Sequence, residues 1–308
     1  MKFLIVGPGA MGCLFAVSLK GAGFDVTLLD YDQARAAQID ARGISVEGAA
    51  DKQGVHVPTM AGECPSDPDL VLICVKSHKT REAARTIEPL LNKEAMVMSL
   101  QNGLGNLEIL EEIFGEGRVL GGVTAEGATL LGPGHIRHAG QGETIIGPAR
   151  DPRGTVERTV AAFNRAGFKT RSINEVNHLI WGKLIINVGI NALTAITGLK
   201  NGLIPEKKGT RLIMEAAVME AVAVAEAKGV KLPYPDPLLR VIEVCRATAE
   251  NIASMLQDIL RERITEIDAI NGAIVREGEA LDIPTPVNHI LTSLVRTLQE
   301  TYLERIRP

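Results

Sequence analysis

The sequence predicts an α/β protein in two parts: a Rossmann-type, doubly wound sheet in residues 1–173 and an all-helical domain in residues 174–308. In the first part, short apolar runs alternate with helix-type segments up to about residue 171, which is the pattern of a doubly wound sheet. In the second part, nearly every segment has helical periodicity, and prolines separate the segments. A chain of 308 residues also exceeds the size at which one core usually stops growing, so two domains are expected.

The first element is a β-type run over residues 2–6 that leads directly into a glycine-rich turn. Gly7, Gly9 and Gly12 have the spacing of a dinucleotide-binding turn: the first permits the tight turn, the second lets backbone approach a pyrophosphate, and the third allows close packing of helix on strand. The following helix would point free N–H groups at the phosphates. The predicted cofactor-binding residues are Gly7, Pro8, Gly9, Ala10, Met11 and Gly12. A plain glycine turn is the alternative.

A second strand is predicted over residues 26–29, and Asp30 ends it. A carboxylate at this position hydrogen-bonds the ribose hydroxyls of the cofactor and would repel a 2′-phosphate. Asp30 therefore favours NADH over NADPH. An ordinary turn aspartate is the alternative, and Arg35 is close enough in sequence to neutralise a phosphate, so the preference stays open at this point.

Further strands are predicted at 69–75 and 95–100, with helices at 77–91 and 106–113. Glycine-punctuated β segments between Arg118 and Gly147 suggest antiparallel extensions of the sheet, and a helix at 153–166 and a strand at 168–171 would complete the domain. Because ligands of open α/β sheets bind beyond the carboxyl ends of the strands, Lys76 and Asn102, which follow two of these strands, are expected beside the cofactor. For Lys76 the alternative is a solvated lysine at a helix start, and for Asn102 it is a plain turn.

The predicted helices of the second domain span 175–197, 206–228, 237–250, 255–261, 264–280 and 287–305. In the first of them, Lys183, Asn187, Asn191 and Thr194 recur at helical spacing within an apolar run. Polar groups on a mostly buried helix cost free energy unless partners satisfy them. These residues are therefore candidates for a site. A structural polar seam, with the lysine reaching water, is the alternative.

Two later segments of the second domain add candidates. Ser254 has a glutamine three residues on, which predicts a capping box, while the same helix start, preceded by Asn251, offers backbone donors suited to a carboxylate. Glu266 is expected near the start of an apolar helix, where an acid also interacts favourably with the helix dipole.

Composition excludes several classes of function. The net charge of −4 offers no broad basic surface for nucleic acid. No apolar run suggests a signal peptide or an uncharged membrane span, and the six histidines form no metal-binding pattern. The four cysteines are scattered and are expected to be reduced thiols of a cytoplasmic protein; they are Cys13, Cys64, Cys74 and Cys245.

Taken together, these residues resemble the ketopantoate reductase (2-dehydropantoate 2-reductase) family over essentially the whole chain. The motifs that carry the resemblance are G-P-G-A-M-G (7–12), V-K (75–76), Q-N-G (101–103), G-A-T-L-L-G-P-G-H (127–135), W-G-K-L-I-I-N-V-G-I-N-A-L-T-A (181–195), S-M-L-Q-D-I (254–259) and T-E-I-D-A-I-N-G (265–272). The resemblance implies an active site in the cleft between a Rossmann domain and a helical domain, where ketopantoate is reduced to pantoate with NADPH for pantothenate and coenzyme A synthesis.

The resemblance also implies residue roles. Lys183 would be the general acid, and Glu266 would support the substrate hydroxyl and the charge of the lysine. Asn102 would contact cofactor and substrate where they meet, with Lys76 close by. The residues that would bind the substrate's hydroxyl and carboxylate are Asn187, Asn191, Asn251 and Ser254.

This chain departs from the family pattern in three places. Members that use NADPH commonly carry an arginine just after the second strand, where this chain has Asp30 and Tyr31. Lys79 stands where glutamine is usual, and Ala192 stands where proline is frequent. The first departure bears on the choice of cofactor.

Three other functions are carried forward as alternatives: a paralogous reductase of another 2-keto acid, a non-catalytic NAD(P)-binding redox sensor, and an opine-forming dehydrogenase. A sensor has no need of a proton donor, so the presence of both Lys183 and Glu266 argues against it. The expected partners are a small 2-keto acid and, as a further possibility, a second copy of the chain.

Overall fold

The structure is a computed structural model that describes residues 1–48, 52–62, 67–148 and 154–305. The chain divides into two compact units, one of residues 1–101 and 106–176 and the other of residues 102–105 and 177–308. The second unit thus begins after Val176 and also takes in a short loop from the first half of the chain, which the sequence did not indicate.

The first unit alternates strands and helices, as predicted. Its strands are β1 (Lys2–Val6), β2 (Asp25–Asp30), β3 (Ile44–Glu47), β4 (Lys52–Val55), β5 (Thr59–Ala61), β6 (Leu70–Ile73), β7 (Met96–Ser99), β8 (Val119–Thr124), β9 (Gly127–Gly132), β10 (His135–Gly140), β11 (Thr144–Gly147) and β12 (Thr170–Ser172). Its helices are α1 (Ala10–Gly21), α2 (Gln33–Arg42), α3 (Thr80–Ile87), α4 (Asn106–Phe114) and α5 (Thr155–Arg165).

Eight strands form the main sheet in the order β12-β11-β8-β7-β6-β1-β2-β5. All neighbouring strands run parallel except β11, which is antiparallel to β8. Phe3 and Ile5 of β1 pack into one apolar cluster, and Leu4 and Val6 pack into another, because successive side chains of a strand point to opposite faces. The doubly wound fold class is confirmed.

The direction of strand addition reverses at β1, since β2 lies on one side of it and β6 on the other. In open α/β sheets such a switch point opens a crevice beyond the carboxyl ends of the two strands. The residues that follow β1 and β6 are Gly7 and the segment 74–76, so the glycine-rich turn lies at the switch point.

Part of the β prediction was wrong. Only β11 extends the main sheet antiparallel; β9 and β10 instead form a separate four-stranded sheet with β3 and β4, in the order β4-β3-β10-β9. This sheet packs on α1, with Ile136 fully buried in the same cluster as Leu14. It therefore covers part of the apolar surface of α1. The sequence interpretation had assigned no elements to residues 33–61, which supply α2, β3, β4 and β5.

The second unit is helical, as predicted, with α6 (Asn177–Thr197), α7 (Lys208–Ala227), α8 (Pro237–Ala247), α9 (Ser254–Leu260), α10 (Asn271–Ala280) and α11 (Pro286–Glu300). The predicted helix over 264–280 is broken: a 3₁₀ turn (Ile267–Ala269) precedes α10, and Ile270 between them has a non-helical ψ of −94°. The predicted helix over 77–91 likewise consists of α3 between two 3₁₀ turns, Ser77–Lys79 and Glu88–Leu90.

Helix α6 is the core of this unit and packs against α7, α8, α9 and α11. The close approach of neighbouring segments to α6 depends on two of its glycines. A Cβ at Gly182 would lie 2.6 Å from Pro233, and one at Gly189 would lie 2.8 Å from Val241. By length and hydropathy α6 could also cross a membrane, which the sequence interpretation did not anticipate, but 67% of its apolar window is buried inside the protein. Among the described residues it is the one helix that meets that test.

Buried amides connect four of these helices. Asn271 Nδ2 donates to Val188 O of α6 (3.3 Å) and to Asn288 Oδ1 of α11 (2.9 Å). Asn288 Nδ2 donates in turn to Ala217 O (3.0 Å) and to Glu220 Oε2 (2.7 Å) of α7. Glu220 also accepts the backbone N–H groups at the start of α11. The side of α7 that carries Glu220 therefore packs against α11.

Candidate active site

The glycine-rich turn has the tight geometry that its spacing predicts. Gly7 has a φ of +106° and donates its N–H to Leu29 O of β2 (2.9 Å). A Cβ at Gly12 would lie 2.0 Å from Gly7 O, so α1 can cross the turn only because residue 12 has no side chain. These two glycines are required by the packing of the chain itself.

Gly9 is different. It caps α1 with an extended backbone (φ −72°, ψ −174°), and a Cβ built on it would approach nothing closer than Cys74 O at 3.9 Å. The first helical bond runs from Cys13 N–H to Gly9 O (2.9 Å), so the N–H groups of Ala10, Met11 and Gly12 have no partner within the helix. No packing of the protein explains a glycine here, whereas backbone approach of a bound phosphate does.

Asp30 lies at the end of β2 with its side chain fully buried. Arg35 binds it bidentately, with Nε donating to Oδ2 (2.6 Å) and Nη2 to Oδ1 (2.5 Å), and the Asp32 N–H adds a bond to Oδ1 (3.1 Å). The carboxylate raises the pKa of the Arg35 guanidinium above its usual range. The two residues that the sequence assigned to ribose and phosphate are therefore partners of each other, and one acceptor position remains on Oδ2.

A partly buried polar network joins the segments that follow β6 and β7. Gln101 Nε2 donates to Val75 O (2.7 Å) and to Thr80 Oγ1 (2.8 Å), while Ser99 Oγ donates to Gln101 Oε1 (2.8 Å). Thr80 Oγ1 donates to Asn106 Oδ1 (2.9 Å). Sequence reasoning did not assign a positioning role to Gln101, Thr80 or Asn106. The signal available was polar residues beside predicted strand ends, which marks a loop but not its internal bonding.

Lys76, predicted beside the cofactor, is half-buried and has an extended backbone (φ −64°, ψ 147°) immediately before the 3₁₀ turn that starts at Ser77. The hydrogen bond from Gln101 to Val75 O fixes the residue that precedes it. Lys79, where the family usually has glutamine, points its amine to Glu82 (2.6 Å) in an exposed ion pair.

The loop that carries Asn102 belongs to the second unit. Leu104 N–H donates to Ala269 O (2.9 Å), and a Cβ at Gly103, whose φ is +88°, would lie 2.2 Å from the same oxygen. Ala269 is the last residue of the 3₁₀ turn that starts just after Glu266. The two residues that follow Asn102 therefore contact the backbone of the turn that starts just after Glu266.

Lys183 lies on α6 as predicted. Its side chain is half-buried, and desolvation lowers its pKa from 10.5 to about 8, while the charge of Glu266 acts in the opposite direction. Glu266 is 9% exposed. The fold therefore brings together an amine and a carboxylate that are far apart in sequence, and it gives the amine a pKa suited to proton donation near neutral pH.

Asn187 follows Lys183 by one helical turn on α6. Its Nδ2 is buried and has no hydrogen-bond partner in the described part of the chain. Asn191, one turn further, is 5% exposed, and the Thr194 hydroxyl donates to the Asn191 carbonyl (2.9 Å). Thr194 therefore has a structural partner. Since native proteins rarely leave a buried amide unsatisfied, the Asn187 amide is positioned to donate to a ligand oxygen.

Ser254 and Asn251 are exposed at the start of α9. The predicted capping box is absent: Ala253 is the N-cap residue, Ser254 is the first helical residue, and Gln257 Nε2 donates to Ile252 O (2.9 Å). The helix begins one residue earlier than a serine cap requires, because the Ala253 carbonyl accepts the first helical bond from Gln257 N (3.0 Å). Capping therefore does not account for the Ser254 hydroxyl.

Within the described residues, no group of three or more His, Cys, Asp or Glu side chains could hold a metal ion. Cys13, Cys74 and Cys245 are free thiols, and burial raises the pKa of Cys245 to about 11. Such thiols are unreactive near neutral pH. Cys64 lies outside the described residues.

A doubly wound sheet with a dinucleotide turn at its switch point, followed by a helical unit with a desolvated lysine, defines a dinucleotide-dependent oxidoreductase. Two family profiles match the chain: "Ketopantoate reductase PanE/ApbA" at residues 3–151 and "Ketopantoate reductase PanE/ApbA C terminal" at residues 175–299. The chain belongs to the ketopantoate reductase family.

Individual relatives agree along the full length. A 2-dehydropantoate 2-reductase of Halobacterium salinarum is 38% identical over 97% of this chain and 99% of its own. A PanE/ApbA family ketopantoate reductase from Ralstonia eutropha has a similar structure, with a TM-score of 0.90 and 37% identity over 98% of this chain and 99% of its own. D-mandelate dehydrogenase, solved with NADH and anilino(oxo)acetate, has the same TM-score of 0.90 at 25% identity, over 98% and 99% of the two chains.

Proposed function

We propose that this protein is a 2-dehydropantoate 2-reductase, which reduces the 2-keto group of ketopantoate to the hydroxyl of pantoate in pantothenate and coenzyme A synthesis. The observation that carries the proposal is Lys183, whose pKa is lowered to about 8 by desolvation, while the charge of Glu266 favours its protonated form. Lys183 lies on the same helix as the unsatisfied amide of Asn187. When bound, the reduced nicotinamide ring supplies a hydride to the keto carbon.

Each residue of the second unit then has a role. Lys183 Nζ donates a proton to the keto oxygen as negative charge develops there, and its ammonium stabilises that charge. Glu266 favours the protonated amine and accepts a hydrogen bond from the substrate hydroxyl. Asn187 Nδ2 donates to a substrate oxygen, which satisfies the buried amide. Asn191, Asn251 and Ser254 are proposed to bind the remaining hydroxyl and carboxylate oxygens.

The cofactor is proposed to lie on the turn of residues 7–12, with its pyrophosphate at the start of α1, and with Lys76 and Asn102 near the nicotinamide end. Two alanine substitutions test this placement. Gly9→Ala is expected to leave unfolding unchanged, because its Cβ would approach no protein atom closer than Cys74 O at 3.9 Å. It is expected to weaken cofactor binding about tenfold or more, because a Cβ there would obstruct the approach of the pyrophosphate to the backbone. The matched control Gly12→Ala should destabilise the fold itself, since its Cβ would lie 2.0 Å from Gly7 O. Unchanged cofactor affinity in Gly9→Ala would refute the placement.

The preferred cofactor is proposed to be NADH. Asp30 keeps one acceptor position for a ribose hydroxyl. Its carboxylate offsets the charge of Arg35 through two hydrogen bonds and would repel a 2′-phosphate. Asp30→Ala should free Arg35 and shift the ratio of kcat/KM values towards NADPH. Arg35→Ala should leave Asp30 without its cation and shift the ratio towards NADH. If both variants kept the wild-type ratio of kcat/KM values for NADH and NADPH, the assignment would be refuted.

The decisive assay follows the absorbance of the reduced nicotinamide with ketopantoate, using NADH and NADPH in parallel. Rapid oxidation with ketopantoate supports the proposed reaction, and the faster cofactor tests the NADH assignment. Cofactor binding without oxidation by any keto acid would favour the redox-sensor alternative instead.

A reductase of another 2-keto acid is the second candidate, because a protein that acts on mandelate shares this fold at a TM-score of 0.90, and one fold can serve several substrates. Phenylglyoxylate, an aromatic 2-keto acid, is the matched competitor in the assay. A higher kcat/KM for phenylglyoxylate than for ketopantoate would replace the first candidate by the second. A cytoplasmic location is proposed with either, since the described cysteines are free thiols, as in a reducing compartment.

A further inference from the structure

The segment that carries Glu266 is not supported by a regular helix. Its backbone leaves the helical region at Glu266 (ψ 23°) and at Ile270 (ψ −94°), with a single 3₁₀ turn between them. Since a 3₁₀ turn has poorer hydrogen-bond geometry than an α-helix, the position of the Glu266 side chain depends on contacts with other elements. That position matters, because Glu266 is 9% exposed and its charge acts on Lys183.

Gln299, near the end of α11, holds this segment immediately before Glu266. Its Oε1 accepts hydrogen bonds from both the N–H (3.0 Å) and the hydroxyl (3.0 Å) of Thr265. The same hydroxyl oxygen accepts from Ile267 N–H (3.3 Å), so it connects Gln299 to the residue that follows Glu266. Thr265 is 2% exposed, and buried donors of this kind are costly to leave unsatisfied.

Two other contacts between α11 and the segment lie further from Glu266. Arg296 binds the Asp268 carboxylate (2.6 Å), but about half of each side chain is exposed, and exposed ion pairs contribute little. Asn288 accepts a hydrogen bond from Asn271 (2.9 Å) at the start of α10. Neither pair includes a residue next to Glu266, whereas the bonds between α11 and the residue that precedes it do.

Helix α11 also packs on α6, the helix of Lys183. Leu291 and Val295 of α11 are buried in the same apolar cluster as Leu184 and Ile185, which follow Lys183 in α6. One helix therefore contacts both the element that carries the amine and the segment that carries the carboxylate. A movement of that segment relative to α11 would change the distance between the two charges.

We propose that Gln299 and Thr265 are positioning residues, which hold the Glu266 carboxylate in the place from which it acts on the Lys183 amine. The role requires no contact between either residue and the substrate. It rests on the proposed function, in which Lys183 donates the proton. Without the bonds to Gln299, the segment can turn, and the charge of Glu266 then acts less strongly on the amine.

Titration of Lys183 in the full-length protein tests the proposal without any substrate. The rate of Lys183 acylation by an amine-selective reagent, measured by mass spectrometry at a series of pH values, gives the midpoint of its titration. Gln299→Met removes the shared acceptor and should move this midpoint about 0.5 to 1 pH unit lower, because the carboxylate then favours the protonated amine less. Thr265→Val keeps the N–H but loses the hydroxyl, so it should give a smaller shift, and Thr265→Ser should give none.

Turnover with ketopantoate gives a second readout. Gln299→Met should lower kcat about tenfold, since small displacements of catalytic groups are costly, and should leave KM for the cofactor unchanged. Thr297→Val is the matched control: its hydroxyl also lies on α11 but donates within the helix to Ser293 O (3.0 Å), so midpoint and kcat should stay at wild-type values. A wild type that titrates as expected but reduces no keto acid would count against the proposed function and not against the positioning.

Combination with Glu266→Gln separates positioning from a general loss of structure. If Gln299 acts through Glu266, the double variant Gln299→Met/Glu266→Gln should have the same Lys183 midpoint as Glu266→Gln alone. A further shift in the double variant, or a wild-type midpoint in Gln299→Met, overturns the proposal. A shift in Thr265→Ser as large as that in Thr265→Val overturns it as well. Thermal unfolding checks that each variant is folded, and if Gln299→Met is not, the same comparisons are made with the isosteric Thr265→Val.

Discussion

Replacing Lys183 by methionine is expected to abolish proton donation and, at neutral pH, to stabilise the fold. Methionine keeps an unbranched side chain of similar length but carries no charge. Burial of the ammonium disfavours its charged form, which is why the pKa of Lys183 falls from 10.5 to about 8 in the folded protein. The folded state therefore carries a cost at neutral pH that the methionine variant lacks.

The magnitude follows from that lowering. A fall from 10.5 to about 8 corresponds to about 3 kcal/mol against the charged folded state. The Lys183 side chain is only half-buried, so solvent screening reduces the expected gain to about 1 to 3 kcal/mol. Below pH 8 both the folded and the unfolded chain are protonated, and the cost is present in full. Between pH 8 and 10.5 the unfolded chain binds more protons, so wild-type stability rises with pH and the advantage of the variant shrinks.

Urea unfolding at pH 7 and at about pH 9.5 measures this difference for wild type and Lys183→Met. Lys169→Met is the matched control, since the Lys169 side chain is 82% exposed, and it should change stability at neither pH. Turnover of Lys183→Met should fall about 100-fold or more, with cofactor affinity unchanged. A stability advantage that is independent of pH would refute the desolvation argument, and near-normal turnover would remove Lys183 from the mechanism.

Glu266→Gln removes the charge that holds the proton on the lysine, so the fall in kcat as pH rises through about 8 should move to lower pH; an unmoved pH profile would contradict this role. Asn187→Leu removes an amide nitrogen that is already unsatisfied, so stability should change by less than about 1 kcal/mol while KM for the keto acid rises; lost stability with normal KM would mean a structural role. Gly103→Ala should lower both stability and kcat, because its Cβ would lie 2.2 Å from Ala269 O, whereas Gly105→Ala has a similar φ (+93°) but meets nothing within 4 Å. Equal losses in the two alanine variants, measured by thermal unfolding and turnover, would show that strain at positive φ, not the contact, is responsible.

The parts of the fold that could be predicted from sequence depend on local patterns. The turn after β1 was predictable because the roles of Gly7 and Gly12 depend on residues close in sequence or on the adjacent strand. The polar face of α6 was predictable because Lys183 and Asn187 are one helical turn apart. Their chemical roles remain predictions. Asn191, Asn251, Ser254, Lys76 and Asn102 likewise remain proposed site residues.

The features that were missed depend on contacts between distant segments. The pairing of β10 with β3 joins residues 135–137 to residues 45–47, and neither run shows from its own pattern which sheet it will enter. Asp30 and Arg35 were both singled out, but each was assigned to the cofactor, because spacing alone does not show that a carboxylate and a guanidinium will bind each other. The proximity of Glu266 to Lys183 came from the family resemblance and not from any spacing in the sequence.

The broken helix before α10 shows how such a departure can serve a site. In a continuous helix over 264–280 the Ala269 carbonyl would accept from Ala273 N–H. Instead, Ala273 N–H bonds to Ile270 O (3.2 Å), and the Ala269 carbonyl accepts from Leu104 N–H (2.9 Å). The loop that carries Asn102 can dock on this turn only because the helix is interrupted there. The interruption thus ties the loop of Asn102, the residue proposed to meet the cofactor, to the turn that follows Glu266. A substitution that restores regular helix at Ile270 should displace both that loop and that turn.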